Sequence, residues 1–490
     1  MTSAAPFDPA AFDPGAAHRF DPTVLREYAL RGIVGTTIDA ADAYALGRAF
    51  GSLAWRRGAR ALAVGYDGRH SSPALAAALA AGLAACGLAV AVIGRGPTPM
   101  LYFAAYTMDF DGMPLDGGVM VTGSHNPPDF NGFKLVLHKA SVFGPDIQEV
   151  GRLAADADYE HGTGRIAELA VFQAYVARLL EDVKGSRRLK VAWDAGNGAM
   201  GEAMAAVTAR LPGEHILLNA EIDGTFPNHH PDPTVAENLH QLQETVLREG
   251  CDLGIAFDGD GDRLGLVDSQ ARIVWGDQIL LFLARDILKR HPGATIIGDV
   301  KCSEVLFDGI AAAGGKPLMW KTGHSVIKAK MKELGAPFAG EMAAHFVFAD
   351  GFYGYDDGLY AAIRVLSILQ SSTETLAGFR DGLPEPMNTP ELRVPCPEDR
   401  KAAVVEEVKA RLAAEGAAEG AAGGANGEVK VTAIDGVRVR EKGGWWLLRA
   451  SNTEAALTLR CEAPDAAGLK ALTDRLAAQL KASGLEPPAF

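Results

Sequence analysis

Apolar runs in this chain repeatedly stop at short polar turns that carry glycine or aspartate, and a helical pattern follows most of those turns. The run Ala61 to Gly65 gives way to Tyr66-Asp67-Gly68-Arg69, and Leu189 to Trp193 to Asp194-Ala195-Gly196-Asn197-Gly198. Leu253 to Phe257 ends at Asp258, and Ala294 to Ile297 at Gly298-Asp299-Val300-Lys301. Strands covered on both faces read as unbroken apolar runs, and parallel neighbours need a crossover helix. The alternation therefore predicts α/β domains with parallel or mixed sheets and ligands at the C-terminal ends of the strands. The chain's 490 residues allow three or four domains of ~150 residues. Successive units suggest related domains, although their sequences are too dissimilar to read as a repeat.

The last hundred residues have a different rhythm. Val429 to Ile434, Val437 to Arg440, Trp445 to Arg449 and Ala456 to Cys461 read as short strands, with Asp435-Gly436 and Gly443-Gly444 as hairpin turns. Asp465 to Ala482 reads as a closing amphipathic helix, which makes a small α+β domain. Ala413 to Gly427, almost entirely Ala, Gly and Glu, reads as a flexible loop within it. The expected units are 1–168, 169–271, 272–384 and 385–490.

Asp258-Gly259-Asp260-Gly261-Asp262-Arg263 is the strongest chemical signal. Alternating glycines leave room for a compact turn on which three carboxylates can converge around one hard cation. Without a cation, like charges so close repel strongly. An EF-hand does not fit, because Arg263 stands where loop position six needs glycine and Ser269 where the closing glutamate belongs. A second string, Thr122-Gly123-Ser124-His125-Asn126-Pro127, follows an apolar run and exposes a serine on a turn. It is no hydrolase elbow, since Asn126 replaces the second glycine.

A formal net charge of −14 argues against a nucleic-acid or anionic-membrane partner. Any anionic substrate must then be met by a local gathering of cations. Five scattered cysteines without a C-x-x-C spacing point to reduced, buried thiols of a cytoplasmic protein, neither a zinc site nor a disulfide framework. The acidic N-terminus lacks the basic region of a signal peptide. Ser71 to Gly94 carries no charge, but its alanines, Gly82, Gly87 and Ser72-Pro73 read as a helix from Pro73 to about Ala85 and then a strand, and not as a membrane span.

Taken together, these two strings closely resemble the signature of the α-D-phosphohexomutases, in particular the bacterial phosphomannomutase/phosphoglucomutase branch. Further matches follow in family order over nearly the whole chain. They are Tyr28-x-x-Arg31-Gly32, Asn131-Gly132-Phe133-Lys134, Pro227-Asn228-His229-His230-Pro231-Asp232-Pro233, Asp299-Val300-Lys301-Cys302, Lys321-Thr322-Gly323-His324, Gly340-Glu341-Met342 and Arg449-Ala450-Ser451-Asn452-Thr453. The resemblance implies three related α/β domains and a C-terminal domain like the TATA-binding-protein fold, around a central cleft.

It also implies a reaction: interconversion of hexose 1- and 6-phosphates of mannose or glucose. Ser124 carries the phosphoryl group and a hexose 1,6-bisphosphate is the intermediate and activator. One Mg²⁺ would be held by Asp258, Asp260, Asp262 and an oxygen on Ser124. Moving a phosphoryl group calls for charge compensation and positioning more than covalent help. Arg31, Lys134, Arg263 and Lys301 are the expected cations near the transferring group. Lys134, His125, His324 and His345 are candidates for proton transfer, with Arg31, Lys134 and His324 favoured beside the reacting phosphate. Tyr28, Glu341 and His345 are expected at the sugar, and Arg449, Ser451, Asn452 and Thr453 at the non-reacting phosphate. The pattern departs at Ala343, where relatives carry serine; one hydrogen bond to the sugar, worth ~0.5–1.5 kcal/mol, is unavailable there. Phosphoglucosamine mutase is the nearest alternative, although Met342 and Ala450 fit it less well. A Mg²⁺-dependent sugar-phosphate phosphatase is the alternative of another class.

Overall fold

The computed structural model describes residues 12–421, 429–451 and 454–490. Three mixed sheets follow one another and share a single strand order. In the first, the core strands run Ala89–Arg95, Ala61–Tyr66, Gly117–Val121, Phe130–Leu137. In the second they run Gly213–Leu218, Leu189–Asp194, Leu253–Phe257, Leu264–Asp268. In the third they run Lys316–Trp320, Thr295–Asp299, Phe338–Gly340, Phe346–Phe348. Read by chain order each is 2-1-3-4, with two parallel pairings and then an antiparallel one. The kinship that sequence left faint is therefore plain in topology.

This order explains where chemistry can sit. The third strand of each sheet turns directly into its antiparallel neighbour. The connecting loops are 122–129, 258–263 and 341–345, which carry the serine, the three aspartates and the Glu341/His345 pair. The three loops touch one another. Thr98 N–H, at the start of the Thr98–Thr107 helix of the first unit, donates to Asp260 O at 2.8 Å, Leu264 N–H donates to Ala344 O at 3.2 Å, and Arg263 forms an isolated antiparallel bridge with His345. Behind them one hydrophobic cluster runs through all three units, from Ala61 and Phe103 through Tyr175 and Trp193 to Tyr360 and Leu383. Burial of this extent makes the three sheets one packed body.

The C-terminal unit is an antiparallel sheet in the order Met387–Asn388, Ala456–Ala463, Gly444–Ala450, Val437–Glu441, Lys430–Thr432, with Leu392–Pro395 also on Ala456–Ala463. Alternation along the Gly444–Ala450 strand sends Trp446 and Leu448 to the helices Glu398–Ala421 and Ala466–Ala482. Trp445 and Leu447 go the other way, onto Val300 of the third unit. The expected hairpins and closing helix are present, with Asp465 capping the helix through Gly468 N–H at 2.8 Å. One expectation is corrected: Ala413–Ala421 is not a loop but the end of the Glu398–Ala421 helix, because alanine and glutamate are strong helix formers. The remainder of that stretch, 422–427, lies outside the described residues. All five cysteines are free and buried. No described helix is long and apolar enough to cross a membrane.

Candidate active site

Ser124 is buried and sits at φ 49°, the left-handed region that non-glycine residues seldom adopt. Its N–H donates to Thr122 Oγ1 at 2.8 Å, and that hydroxyl donates to Asp67 Oδ2 at 2.8 Å. Ser124 Oγ lies 3.2 Å from His125 Nδ1 and donates to Asp258 Oδ2 at 3.2 Å. The serine of the first unit thus meets the acidic loop of the second side by side. Gly259 permits this approach, since a Cβ there would fall 2.4 Å from Ser124 O.

Asp258, Asp260 and Asp262 are all buried, and each offers an oxygen within 4.8 Å of the others. Asp258 Oδ1 accepts the N–H groups of Gly261 and Arg263, at 3.0 and 3.2 Å. Asp260 Oδ2 accepts from the Thr98 hydroxyl and from Lys134 Nζ, the latter at 2.6 Å. Asp260 Oδ1 is buried with no hydrogen-bond partner. A buried carboxylate oxygen without a donor is costly, and oxygen-only donors on a tight turn suit a hard divalent cation. The residues present therefore fit such an ion.

Cations and histidines close around this pair of loops. Lys134 Nζ also reaches Asp262 Oδ2 at 2.5 Å. Arg31 donates to Gly123 O at 2.9 Å and to the Asn126 side chain. Arg263 Nε lies 3.7 Å from Asp258 Oδ2 and 3.3 Å from His345 Nε2. From the third unit, His345 joins Asp262 Oδ1 at 3.2 Å and Glu341 Oε1 at 2.8 Å. His324 stacks on His345 with ring centres 4.9 Å apart, and its Nδ1 lies 2.9 Å from Asp356 Oδ2. Tyr28 reaches the same wall through Thr322 O at 2.9 Å.

The other expected residues gather at the C-terminal unit. Arg449 is buried, its Nε donates to Asp435 Oδ2 at 3.2 Å, and Asp435 also accepts Thr322 N–H at 3.0 Å. Lys301, expected beside the reacting group, instead pairs with Glu391 Oε2 at 2.9 Å. The reason is that its loop is stapled to the last sheet. Arg438 donates to Val300 O and Cys302 O at 2.6 and 2.7 Å, and Arg460 to Lys301 O at 2.7 Å. Ser451 is buried with its carbonyl on Lys401 Nζ at 2.5 Å. Asn452 and Thr453 lie outside the described residues.

Models of the four domains of the phosphoglucomutase/phosphomannomutase family match in order. The α/β/α domains I, II and III match residues 23–160, 173–271 and 275–387, and the C-terminal domain matches 391–479. The chain belongs to the phosphoglucomutase/phosphomannomutase family. A phosphomannomutase/phosphoglucomutase of Pseudomonas aeruginosa is 42% identical over 460 residues, covering 94% of this chain and 96% of that protein. A phosphoglucomutase of Neisseria gonorrhoeae is 40% identical over 468 residues, covering 94% and 97%. A crystal structure of a family protein from Burkholderia thailandensis superimposes with a TM-score of 0.88 at 41% identity, covering 96% of this chain and 99% of that one.

Within this family member the buried charges polarise the site. Burial and the charges of Asp262 and Asp260 push Asp258 well above the usual carboxylate range. Asp262 goes the other way: burial would raise it, but Lys134 and His345 outweigh that and hold it well below. His345, which burial alone would lower, is raised to about 9 chiefly by Asp262. Glu341 falls to about 2, because His345 and Lys301 overcome its burial. His324 is lowered by burial and the neighbouring Lys328. Of two stacked histidines, one is held as a cation and the other kept neutral near pH 7.

Reading motifs alone missed Asp67, Arg69, Thr98, Asp356, Lys328, Asp435 and Glu391. A signal existed for some of them. The first of the four core strands in each α/β unit runs into an aspartate: Asp67 follows Ala61–Tyr66, and Asp194 and Asp299 close Leu189–Asp194 and Thr295–Asp299. Two of these accept an N–H of their unit's functional loop, Gly123 N–H to Asp67 and Met342 N–H to Asp299, each at 3.2 Å.

Proposed function

We propose that this family member interconverts hexose 1-phosphates and hexose 6-phosphates of mannose or glucose, with Ser124 as the phosphoryl carrier and a hexose 1,6-bisphosphate as the intermediate. The observation that carries this reading is the contact of Ser124 Oγ with Asp258, inside an acidic loop that keeps one buried carboxylate oxygen unpartnered. The named relatives favour it over a phosphoglucosamine mutase or a phosphatase.

Mg²⁺ held by Asp258, Asp260, Asp262 and an oxygen on Ser124 would supply charge compensation for the transferring group. The chain's own residues do the rest. Arg31 and Arg263 add fixed positive charge on the serine loop and the acidic loop. Lys134, whose charge Asp260 and Asp262 sustain despite burial, bridges the two carboxylates. Asp356 is held well below its usual range by Lys328 and His324, which overcome its burial. It can therefore only accept, which assigns the His324 proton to Nδ1 and leaves Nε2 basic. His324 is thus the group suited to take a sugar hydroxyl proton, and His345, as a cation, suits a hydrogen bond to the sugar or its phosphate. Tyr28 and Glu341 frame the sugar. Lys301, Arg449, Ser451, Asn452 and Thr453 receive the non-reacting phosphate. After the first transfer the bisphosphate turns over and returns its other phosphate to Ser124.

A coupled assay with mannose 1-phosphate, glucose 1-phosphate and glucosamine 1-phosphate, with bisphosphate activator, tests the reading. Turnover of the first or second is expected, lost in Ser124→Ala and on chelation and restored by Mg²⁺. Full turnover in Ser124→Ala would refute the covalent route.

A further inference from the structure

The serine loop has a conformational problem that its own sequence does not solve. Ser124 is held at φ 49°, and although the ends of the loop are pinned by Thr122 N–H to Gly132 O and Val34 N–H to Asp129 O, its middle lies beside no strand. What fixes the loop comes from behind it. Arg69 is 1% exposed, and its planar head meets the loop edge-on. Nη2 donates to Ser124 O and Asn126 O at 2.8 and 2.6 Å. Nη1 donates to Pro127 O and Phe130 O at 2.5 and 3.0 Å. Nε donates to Asp67 Oδ2 at 3.2 Å. A guanidinium has five N–H donors, and here every one is used. Asp67 is fixed in turn by Ser72 Oγ at 2.6 Å and by Gly123 N–H, and the Phe226 ring of the second unit covers the guanidinium at 5.1 Å.

We infer that Arg69 is a positioning residue for phosphoryl transfer: it holds the Ser124 loop in its strained shape and takes up the carbonyl oxygens of that loop. Carbonyls committed to Arg69 cannot turn their partial negative charge toward a phosphoryl group on Ser124 Oγ, and a serine free to leave φ 49° would carry that group out of line. Lysine cannot substitute, because three donors without a planar fork cannot serve five acceptors. The inference rests on the proposed role of Ser124 and adds to it a residue that touches neither sugar nor phosphate.

Two variants approach the same contact from opposite sides. Arg69→Lys removes donors. Gly123→Ala leaves Arg69 in place but puts a Cβ 2.4 Å from its Cζ and 2.5 Å from its Nε, displacing the head from the loop side. Each full-length variant is compared with the unsubstituted enzyme by steady-state kinetics, by intact mass for Ser124 phosphate, and by amide hydrogen exchange. A displacement of the reacting atoms by about 1 Å costs roughly a hundredfold in rate, so kcat should fall on that order while KM stays within about twofold. Exchange in peptides spanning 122–131 should rise by about tenfold or more, with protection elsewhere unchanged. Either variant with normal kcat and normal loop protection overturns the inference. So does a loss of protection spread over the whole first unit, which would make Arg69 a general support of the fold. If the unsubstituted enzyme carries no phosphate on Ser124 even after incubation with hexose 1,6-bisphosphate, the proposed reaction fails instead, and the exchange comparison still decides what Arg69 holds.

Discussion

The two ends of the proposed site are built in opposite ways. At the Ser124 end, five donors of one arginine hold the serine loop within the first unit, and buried Lys134 and Ser124 of that unit grip the three buried carboxylates of the next. At the Arg449 end, the guanidinium is tied through one nitrogen to Asp435, and Lys301 faces a carboxylate, Glu391, across the unit boundary. The C-terminal sheet reaches the rest of the molecule through Trp445 on Val300, the Arg438 contacts and Ser303 Oγ on Glu462 at 2.9 Å. It does not share the large core that fuses the three α/β units. The proposed reaction gives this difference a reason. Transfer tolerates little error at the reacting atoms, whereas a substrate that turns around must be received and released at the other end.

If this contrast is right, damage at the two ends should look different. Asp260→Asn removes a charge from the rigid end, and kcat should fall by on the order of a hundredfold or more with weakened Mg²⁺ dependence; steady-state kinetics across a Mg²⁺ titration checks this. Arg449→Ala acts on the receiving end. Losing a charge-assisted, bidentate-capable donor should raise KM by roughly ten- to a hundredfold, and more 1,6-bisphosphate should escape per turnover, which chromatography of the reaction mixture measures. A kcat defect without a KM change in Arg449→Ala would erase the distinction.

The fused body has its own signature in pH. Asp357 is buried where the units meet; Tyr175 OH donates to it at 2.9 Å and it caps the Gly358–Gln370 helix through Tyr360 N–H. Burial raises its carboxyl to about 7. A carboxyl whose pKa rises on folding stabilises the fold fully below its unfolded value near 4, and that contribution is lost as pH climbs through 7. Thermal or denaturant unfolding should therefore show stability declining between about pH 4 and 7 by on the order of a few kcal/mol. Asp357→Asn should flatten that slope while leaving KM unchanged. The smallest effect is expected at the sugar loop. Ala343→Ser restores one hydroxyl and should raise kcat/KM by no more than about tenfold for one sugar phosphate over the other. Ala344, beside it at φ 69°, keeps the turn strained either way.

Much of this was legible from sequence because the family motifs are local strings at strand ends. The runs Leu253 to Phe257 and Leu189 to Trp193 mark their strands almost to the residue, since apolar runs that stop at glycine and aspartate leave few alternatives. What was not legible is long-range. Arg69 acts on carbonyls more than fifty positions away, and backbone acceptors leave no mark in sequence. Lys301 sits in a motif beside a strand end, but its partner Glu391 belongs to another unit. The shared 2-1-3-4 order depends on pairing and not on residue identity, so three units with dissimilar sequences can carry it. Ala413–Ala421 is helical although low complexity suggests a loop, because a composition of alanine and glutamate favours helix.

The most direct test of the central claim, that Ser124 carries the phosphoryl group, is a single-turnover chase. Dephosphorylated enzyme is mixed with hexose 1,6-bisphosphate bearing labelled phosphates, then with unlabelled hexose 1-phosphate, and the label is followed by peptide mapping. The account predicts label first on the peptide containing Ser124 and then in newly formed bisphosphate, with neither step in Ser124→Ala. Turnover without label on Ser124, or label that appears there and leaves only as inorganic phosphate, would contradict it.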